Sequence, residues 1–353
     1  MNVSPRTILP GNVAGMSTLA AVSPSDIRAR RLIAQLLAPS APHPLSTASG
    51  SIAEVATWMT AVQSQNAAAG RDVLALRSSR EAGSVSPQDL ADAGIVRSWS
   101  QRGTHHLLRA RDVRWITVLC SPRVQRASEK RRGNIGLTDA DVDLCRAALL
   151  DALADGATLS RTQCYGVFKD AGVDPDGGRG GHLLRHFGGE GDIIQGVPEG
   201  SVETFVLHDA VVAEPAEFTG QDALRELAVR YFRSRGPATV KDFAWWTGLT
   251  VTDAKKAAAL ALEGGTETGT VIEATTEDGR SVLLADWQVD VSPAELAGAV
   301  RPDVLLPTFD EYLMGYGDRS DVISPEVTVE VGPTKNGLVH PSLVQAGQVT
   351  GRR

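Results

Sequence analysis

The chain has 353 residues, room for two or three domains. Its 42% apolar and 22% charged residues exclude wholesale disorder, a collagen-like repeat and a disulfide miniprotein. Cys120, Cys145 and Cys164 lie far apart, which gives neither a zinc framework nor a disulfide set. A formal charge of −7 argues by itself against a polyanion partner.

In chain order, residues 1–25 read as a disordered tail. Pro5, Pro10, Gly11, Gly15 and Pro24 interrupt it, no signal-peptide core is present, and Met16 is a candidate start. No run approaches the ~20 apolar residues of a membrane helix. Helices are then expected near 26–37, 51–62, 67–77 and 86–93. Capping boxes mark their starts: a hydroxyl followed three residues later by an acid or amide satisfies free backbone N–H groups at both positions. The pattern occurs at Ser51/Glu54 and at Ser86-Pro87-Gln88-Asp89, and recurs at Thr138/Asp141, Ser160/Gln163, Thr219/Asp222, Thr239/Asp242 and Thr250/Asp253. The first group closes with a hairpin signal, Ile95–Ser100, Gln101-Arg102-Gly103 and Thr104–Leu108.

The charge is segregated. From Arg97 to Arg132 there are ten basic residues against Asp112 and Glu129, a local +8 that leaves −15 elsewhere. Such asymmetry suggests one face built for a polyanion; otherwise it is a solvated Arg-rich helix.

Further helices are expected near 138–154, 160–170 and 180–188, then a hairpin over 192–195 and 202–207. A third set near 220–235, 239–247 and 250–263 precedes a hairpin over 270–274 and 281–284, with an Asp278-Gly279 turn. Helices followed by a two-stranded wing, seen three times, give a mainly α chain with small β wings (α+β). The domains are a winged helix at 26–135 holding the basic segment, a second at 136–215 and a third at 216–300. A strand-rich subdomain follows at 301–353.

Several motifs point to one family: Gln63-Ser64-Gln65; Val96-Arg97-Ser98-Trp99-Ser100-Gln101-Arg102-Gly103-Thr104-His105-His106-Leu107; Val240-Lys241-Asp242-Phe243-Ala244-Trp245-Trp246-Thr247-Gly248; and Leu306-Pro307-Thr308-Phe309-Asp310-Glu311-Tyr312-Leu313. Together they resemble the winged-helix DNA-binding family that contains the AlkZ DNA glycosylases. The resemblance implies three tandem winged helix-turn-helix units in a C-shaped body whose concave face binds duplex DNA. It also implies excision of bulky N7-alkylated purines and interstrand crosslinks, in repair or in self-resistance to a genotoxic natural product. Two departures stand out. Ser64 occupies the aliphatic middle position of the Gln-x-Gln motif. The chain also closes on Thr350-Gly351-Arg352-Arg353 where the family shows Gly-Thr-Trp-Arg-Arg and further strands, so a shortened last element is expected.

Gln63 and Gln65 are thus the expected catalytic pair. On one helix they would point about 200° apart, but the apolar pattern fades at Val62 and Asn66 is a good N-cap. At such a break the two can face one side, with Ser64 turned away and tolerant of Ala or Leu. Taken alone, a Gln-Ser-Gln-Asn run is a cap. A carboxamide does not titrate near pH 7, so it positions water and aims a dipole. That suffices for an N7-alkylated purine, which already carries the positive charge and departs neutral. No lysine neighbours the motif, so lyase chemistry is not expected.

The expected DNA contacts are Arg97, Arg102, His105 and His106 on the first wing, and Arg126, Lys130, Arg131 and Arg132 beyond it. In a strand His105 and His106 point to opposite faces. His182 and His186 have an i, i+4 spacing but no third ligand, so no metal and no cofactor are expected. Gly177–Gly181 reads as a loop before a helix, and Asp310-Glu311 as structural. The expected partner is alkylated or crosslinked double-stranded DNA, met by a monomeric cytoplasmic bacterial enzyme that associates with the nucleoid when bound. The alternative is a non-catalytic winged-helix DNA-binding protein or regulator.

Overall fold

A computed structural model describes Leu19, residues 21–45 and residues 51–353. Most of the expected tail lies outside the described residues. Val22, however, is buried and pairs with the third hairpin, its N–H reaching the Thr275 carbonyl at 2.9 Å.

The first helices are α1 (Pro24–Ala34), α2 (Ile52–Met59), α3 (Ala67–Arg77) and α4 (Pro87–Asp92). The helix expected over 51–62 stops at Met59 because Thr60 adopts φ 64°, ψ −54°. Its last residues become a strand, β1 (Ala61–Gln63). The hairpin β2 (Ile95–Trp99) and β3 (His105–Arg109) follows, and β1 pairs antiparallel with β3, Gln63 opposite His106. The rest of the basic segment folds as α5 (Val113–Cys120) and α6 (Pro122–Arg132). Val113, Trp115, Ile116 and Cys120 face the core, whereas α6 is largely exposed.

The second group is α7 (Asp139–Ala152), a short β4 (Leu159–Ser160), α8 (Arg161–Asp170) and α9 (Arg179–Glu190), closed by β5 (Ile193–Gln195) and β6 (Thr204–Leu207). A one-turn α10 (His208–Val211) leads to the third: α11 (Gly220–Arg235), α12 (Val240–Thr247) and α13 (Val251–Glu263), with β7 (Val271–Thr275) and β8 (Ser281–Ala285). The C-terminal part holds α14 (Pro293–Ala299), β9 (Val304–Leu306), α15 (Glu311–Met314), α16 (Pro325–Val331), β10 (Ser342–Gln345) and β11 (Gln348–Arg352). The chain is therefore mixed α and β. Six of the seven expected hydroxyl caps bond their helix; Thr219 offers its carbonyl to Asp222 N instead.

The first two hairpins merge. One six-stranded sheet runs β1-β3-β2-β5-β6-β4, joined across the groups where Arg97 registers with Gln195. The third hairpin forms its own two-stranded sheet, and β9, β10 and β11 form a separate three-stranded sheet. α11 is the central beam: Leu227, Ala228, Tyr231 and Phe232 are buried among residues of α5, α12, α13, the six-stranded sheet and the third hairpin. α1 packs away from its sequence neighbours, with Ala29, Leu32 and Ile33 in one core with Leu306, Tyr312, Val344 and Val349.

Buried arginines tie the groups together. Arg77 of α3 makes two 2.8 Å bonds to Asp310, and Arg230 of α11 reaches Asp112 at 2.8 Å and Glu226 at 2.6 Å. Arg235 pairs with Glu311 at 2.6 Å. Such pairs barely offset their desolvation, but breaking one leaves an uncompensated charge, at about 3–5 kcal/mol. The adjacent acids Asp310 and Glu311 are thus both buried in ion pairs.

Candidate active site

Gln63 ends β1, and its backbone is fixed from two sides. Its N–H donates to Glu311 Oε1 at 2.8 Å. Arg235, held by the other oxygen of Glu311, donates to the carbonyls of Met59 (2.9 Å) and Ala61 (2.8 Å). It thereby satisfies a helix-end carbonyl that α2 leaves orphaned. The pairing continues one residue past the strand, Ser64 N–H reaching the His105 carbonyl at 2.8 Å. Asn66 then caps α3, accepting from Ala69 N–H at 3.1 Å. The helix break inferred from sequence is thus a strand end.

Both glutamine side chains dock on the β2–β3 hairpin. Gln63, nearly buried, takes Arg102 Nη2 on its Oε1 at 2.7 Å. Gln65, exposed, takes the His105 N–H on its Oε1 at 3.2 Å. Ser64 turns into the interior, fully buried, as expected. A Cβ on Gly70 would lie 2.7 Å from its Oγ, so the Ser64 side chain packs directly on α3.

The other candidate residues of the β2–β3 hairpin make contacts within the protein. Arg97 donates to the Ser64 carbonyl (2.8 Å), the Gln65 carbonyl (3.4 Å) and Gln195 Oε1 (2.6 Å). His105 packs its ring 4.4 Å from that of Trp99, and burial beside Arg97 pushes its pKa down to about 2. His106 is wholly buried, its Nδ1 3.0 Å from both the Thr104 carbonyl and Ser100 Oγ. The DNA contact expected of it is corrected: having no exposed surface, it is a structural histidine.

On α6, Arg126, Lys130 and Arg131 are exposed. Arg132 is not part of that surface: it is buried, bonded to Asp139 Oδ1 at 2.7 Å and to His186 Nε2 at 2.9 Å. Beside them, between α6 and α9, opens a cleft of about 780 Å³ lined by Arg102, Arg123, Arg131, His182 and Arg185 with no Asp or Glu. Burial, then the charge of Arg131, lowers the Arg185 pKa. Like charges held together in this way attract anions.

A family model for AlkZ-like DNA glycosylases matches residues 56–353. The chain belongs to the AlkZ-like DNA glycosylase family. It is 25% identical over 286 residues to an interstrand DNA cross-link repair glycosylase of Streptomyces sahachiroi, covering 75% of this chain and 71% of the relative. The solved structure of the DNA glycosylase AlkZ from Streptomyces sahachiroi superposes with a TM-score of 0.70 at 24% identity, over 94% of this chain and 87% of that one.

The site of this AlkZ-like chain is built from groups that do not titrate near neutral pH: two carboxamides and a histidine held neutral. Among the described residues no group of three potential metal ligands occurs, and no helix is long and apolar enough to cross a membrane. Sequence reasoning missed Arg123 and Arg185 as cleft residues. Arg185 stands alone among glycines and histidines, and only the packing of α9 against α6 brings it to the basic segment. It also missed Arg235, whose role depends on a contact 174 residues away in the chain.

Proposed function

We propose that this AlkZ-like glycosylase hydrolyses the N-glycosidic bond of bulky N7-alkylated purines, including those in interstrand crosslinks, without lyase activity. The observation that carries the reading is the docking of Gln63 and Gln65 on one hairpin, with neutral His105 as neighbour and nearby carboxylates committed to arginines. Glu311 serves Arg235, and Glu203 serves Arg161 and Arg97. Such a site has no free acid to protonate a departing base. A base that is already cationic needs none.

The three helix groups with their hairpins serve in this reading as winged-helix units, over 26–135, 136–215 and 216–300, in a C-shaped monomer. Duplex DNA lies along Arg126, Lys130, Arg131 and the arginine cleft. The cellular role is repair or self-resistance to a genotoxic natural product in the bacterial cytoplasm.

The test is incubation with a duplex bearing one N7-alkylguanine, followed by hot alkali to reveal abasic sites. Release of that base, with uracil, hypoxanthine and 8-oxoguanine untouched, is expected. Uracil release at a comparable rate would refute the lesion class, and DNA binding without release of any cationic base would favour the non-catalytic alternative.

A further inference from the structure

Arg102 sits in the hairpin turn at φ 56°, a backbone conformation rare for non-glycine residues. Its side chain, part of the cleft wall, reaches back to β1 and α12. Nη2 donates to Gln63 Oε1 at 2.7 Å, Nη1 donates to the Trp246 carbonyl, and the guanidinium lies 4.6 Å over the Trp245 ring. Burial lowers its pKa to about 10, which leaves it charged at neutral pH.

The contact dictates how Gln63 is turned. A guanidinium has donors and no acceptor, so only the amide oxygen can face it. A backbone N–H has the same restriction, and Gln65 faces His105 N–H with its oxygen. Each amide therefore has its oxygen anchored on the hairpin and its Nε2 directed away. Among the described residues neither Nε2 makes a hydrogen bond.

The geometry points to Arg102 as the positioning residue for Gln63: by holding the amide oxygen, it presents the Nε2 hydrogens as donors to the water that attacks C1′. This rests on the glycosylase reading above. The water accepts from Gln63 through one lone pair, and its other lone pair forms the bond to C1′ as the base departs. The proton it sheds passes to solvent. The oxygen dipole of Gln63 is thus directed at Arg102 and not at the developing charge on the sugar.

The experiment combines Arg102→Met, Arg102→Lys and Gln63→Glu in the full chain. Single-turnover excision of a confirmed N7-alkylguanine duplex at saturating protein is read beside the Kd for the same duplex. Arg102→Met should slow excision about 10²-fold at saturating protein, beyond any change in the Kd that follows because Arg102 also lines the cleft. Arg102→Lys, with one donor restored, should recover part of the rate. Gln63→Glu keeps a partner for Arg102 but removes the donor, so it should be at least as slow as Arg102→Met. A weakened Kd with an unchanged saturating rate in Arg102→Met, or a wild-type rate in Gln63→Glu, would overturn the inference. A readout free of catalysis is the side-chain amide resonance of Gln63, identified by its loss in Gln63→Ala. It should shift in both Arg102 variants without DNA. Its failure to move overturns the positioning role, whereas a wild-type protein that releases no base overturns only the glycosylase reading.

Discussion

Arg97 on β2 and Gln195 on β5 are register partners, and Arg97 Nη1 donates to Gln195 Oε1 at 2.6 Å. This bond joins the first two hairpins into one sheet at the point where Arg97 also holds the carbonyls of Ser64 and Gln65. The loop carrying Gln63 and Gln65 is thus anchored to the second helix group as well as to its own hairpin.

Arg97 is accordingly expected to act through geometry. Arg97→Ala should slow single-turnover excision about 10²-fold, the scale for misplacing a reacting group by an ångström. Arg97→Lys keeps the charge but cannot reach three acceptors with a planar fork, so it should be nearly as slow. A fully active Arg97→Lys would mean that charge, and not placement, is what Arg97 supplies.

DNA binding should divide α6 in two. Charge reversal at Arg126, Lys130 and Arg131 should flatten the dependence of log K on log salt by roughly one unit for each phosphate no longer neutralised. Arg132→Ala should leave that slope alone and lower thermal stability, because it unpairs Asp139 and His186. Salt titrations of the variants beside melting curves decide this. An unchanged slope in the triple variant would remove α6 from the interface.

The helix groups and hairpins were legible because their signals are local: a hydroxyl three residues before an acid, an Asp-Gly between apolar runs. What the sequence did not show depends on distant partners. Residues 61 and 62 read as the end of a helix, since only pairing with β3 and the grip of Arg235 make 61–63 a strand. Counting charges likewise put Arg132, and position on the hairpin put His106, with the DNA-facing residues, although each is buried by elements that no nearby residue announces. The Gln-Ser-Gln motif was found by resemblance, and its plainer reading as a cap was also partly true, since Asn66 beside it is the cap.

Glu311 should prove indispensable to the fold and to the site together. Glu311→Ala leaves Arg235 buried without a counter-charge and frees Gln63 N–H. A loss of about 3–5 kcal/mol is expected, read as a lowered denaturant midpoint. Arg235→Met/Glu311→Leu, which removes both charges, should regain much of the stability but not the excision rate. A double variant that restored both would show that the pair does not align β1.

Gln65→Ala should lower excision about 10²-fold, the cost of one positioned polar group. Gln63→Ala/Gln65→Ala should cost less than the product of the single effects, since both amides serve one water and one sugar. Strict multiplicativity in single-turnover rates would mean that they act independently.

Acid should destabilise the protein well before its carboxylates titrate. Burial holds His43 and His186 down to about 4, His105 down to about 2 and His106 well below its usual value. In the unfolded chain each takes a proton near pH 6.5. Between about pH 6.5 and 4 the unfolded state therefore binds protons that the native state refuses. Stability is full above pH 6.5 and falls with pH below it, by up to about 1.4 kcal/mol per pH unit for each such histidine. The rings facing these groups keep the sign fixed. His43 lies between Trp58 and Trp287 at 4.5 and 4.8 Å, and His105 meets Arg97; for His186 the pull of Glu190 is outweighed by burial with Arg132 and Arg146. Urea midpoints at pH 7.5, 6 and 5 should decline, and His43→Asn should shallow the decline by one proton's worth. A midpoint constant from pH 7.5 to 5 would show that these histidines protonate in the folded protein, and the neutral His105 assigned to the site would fall with it.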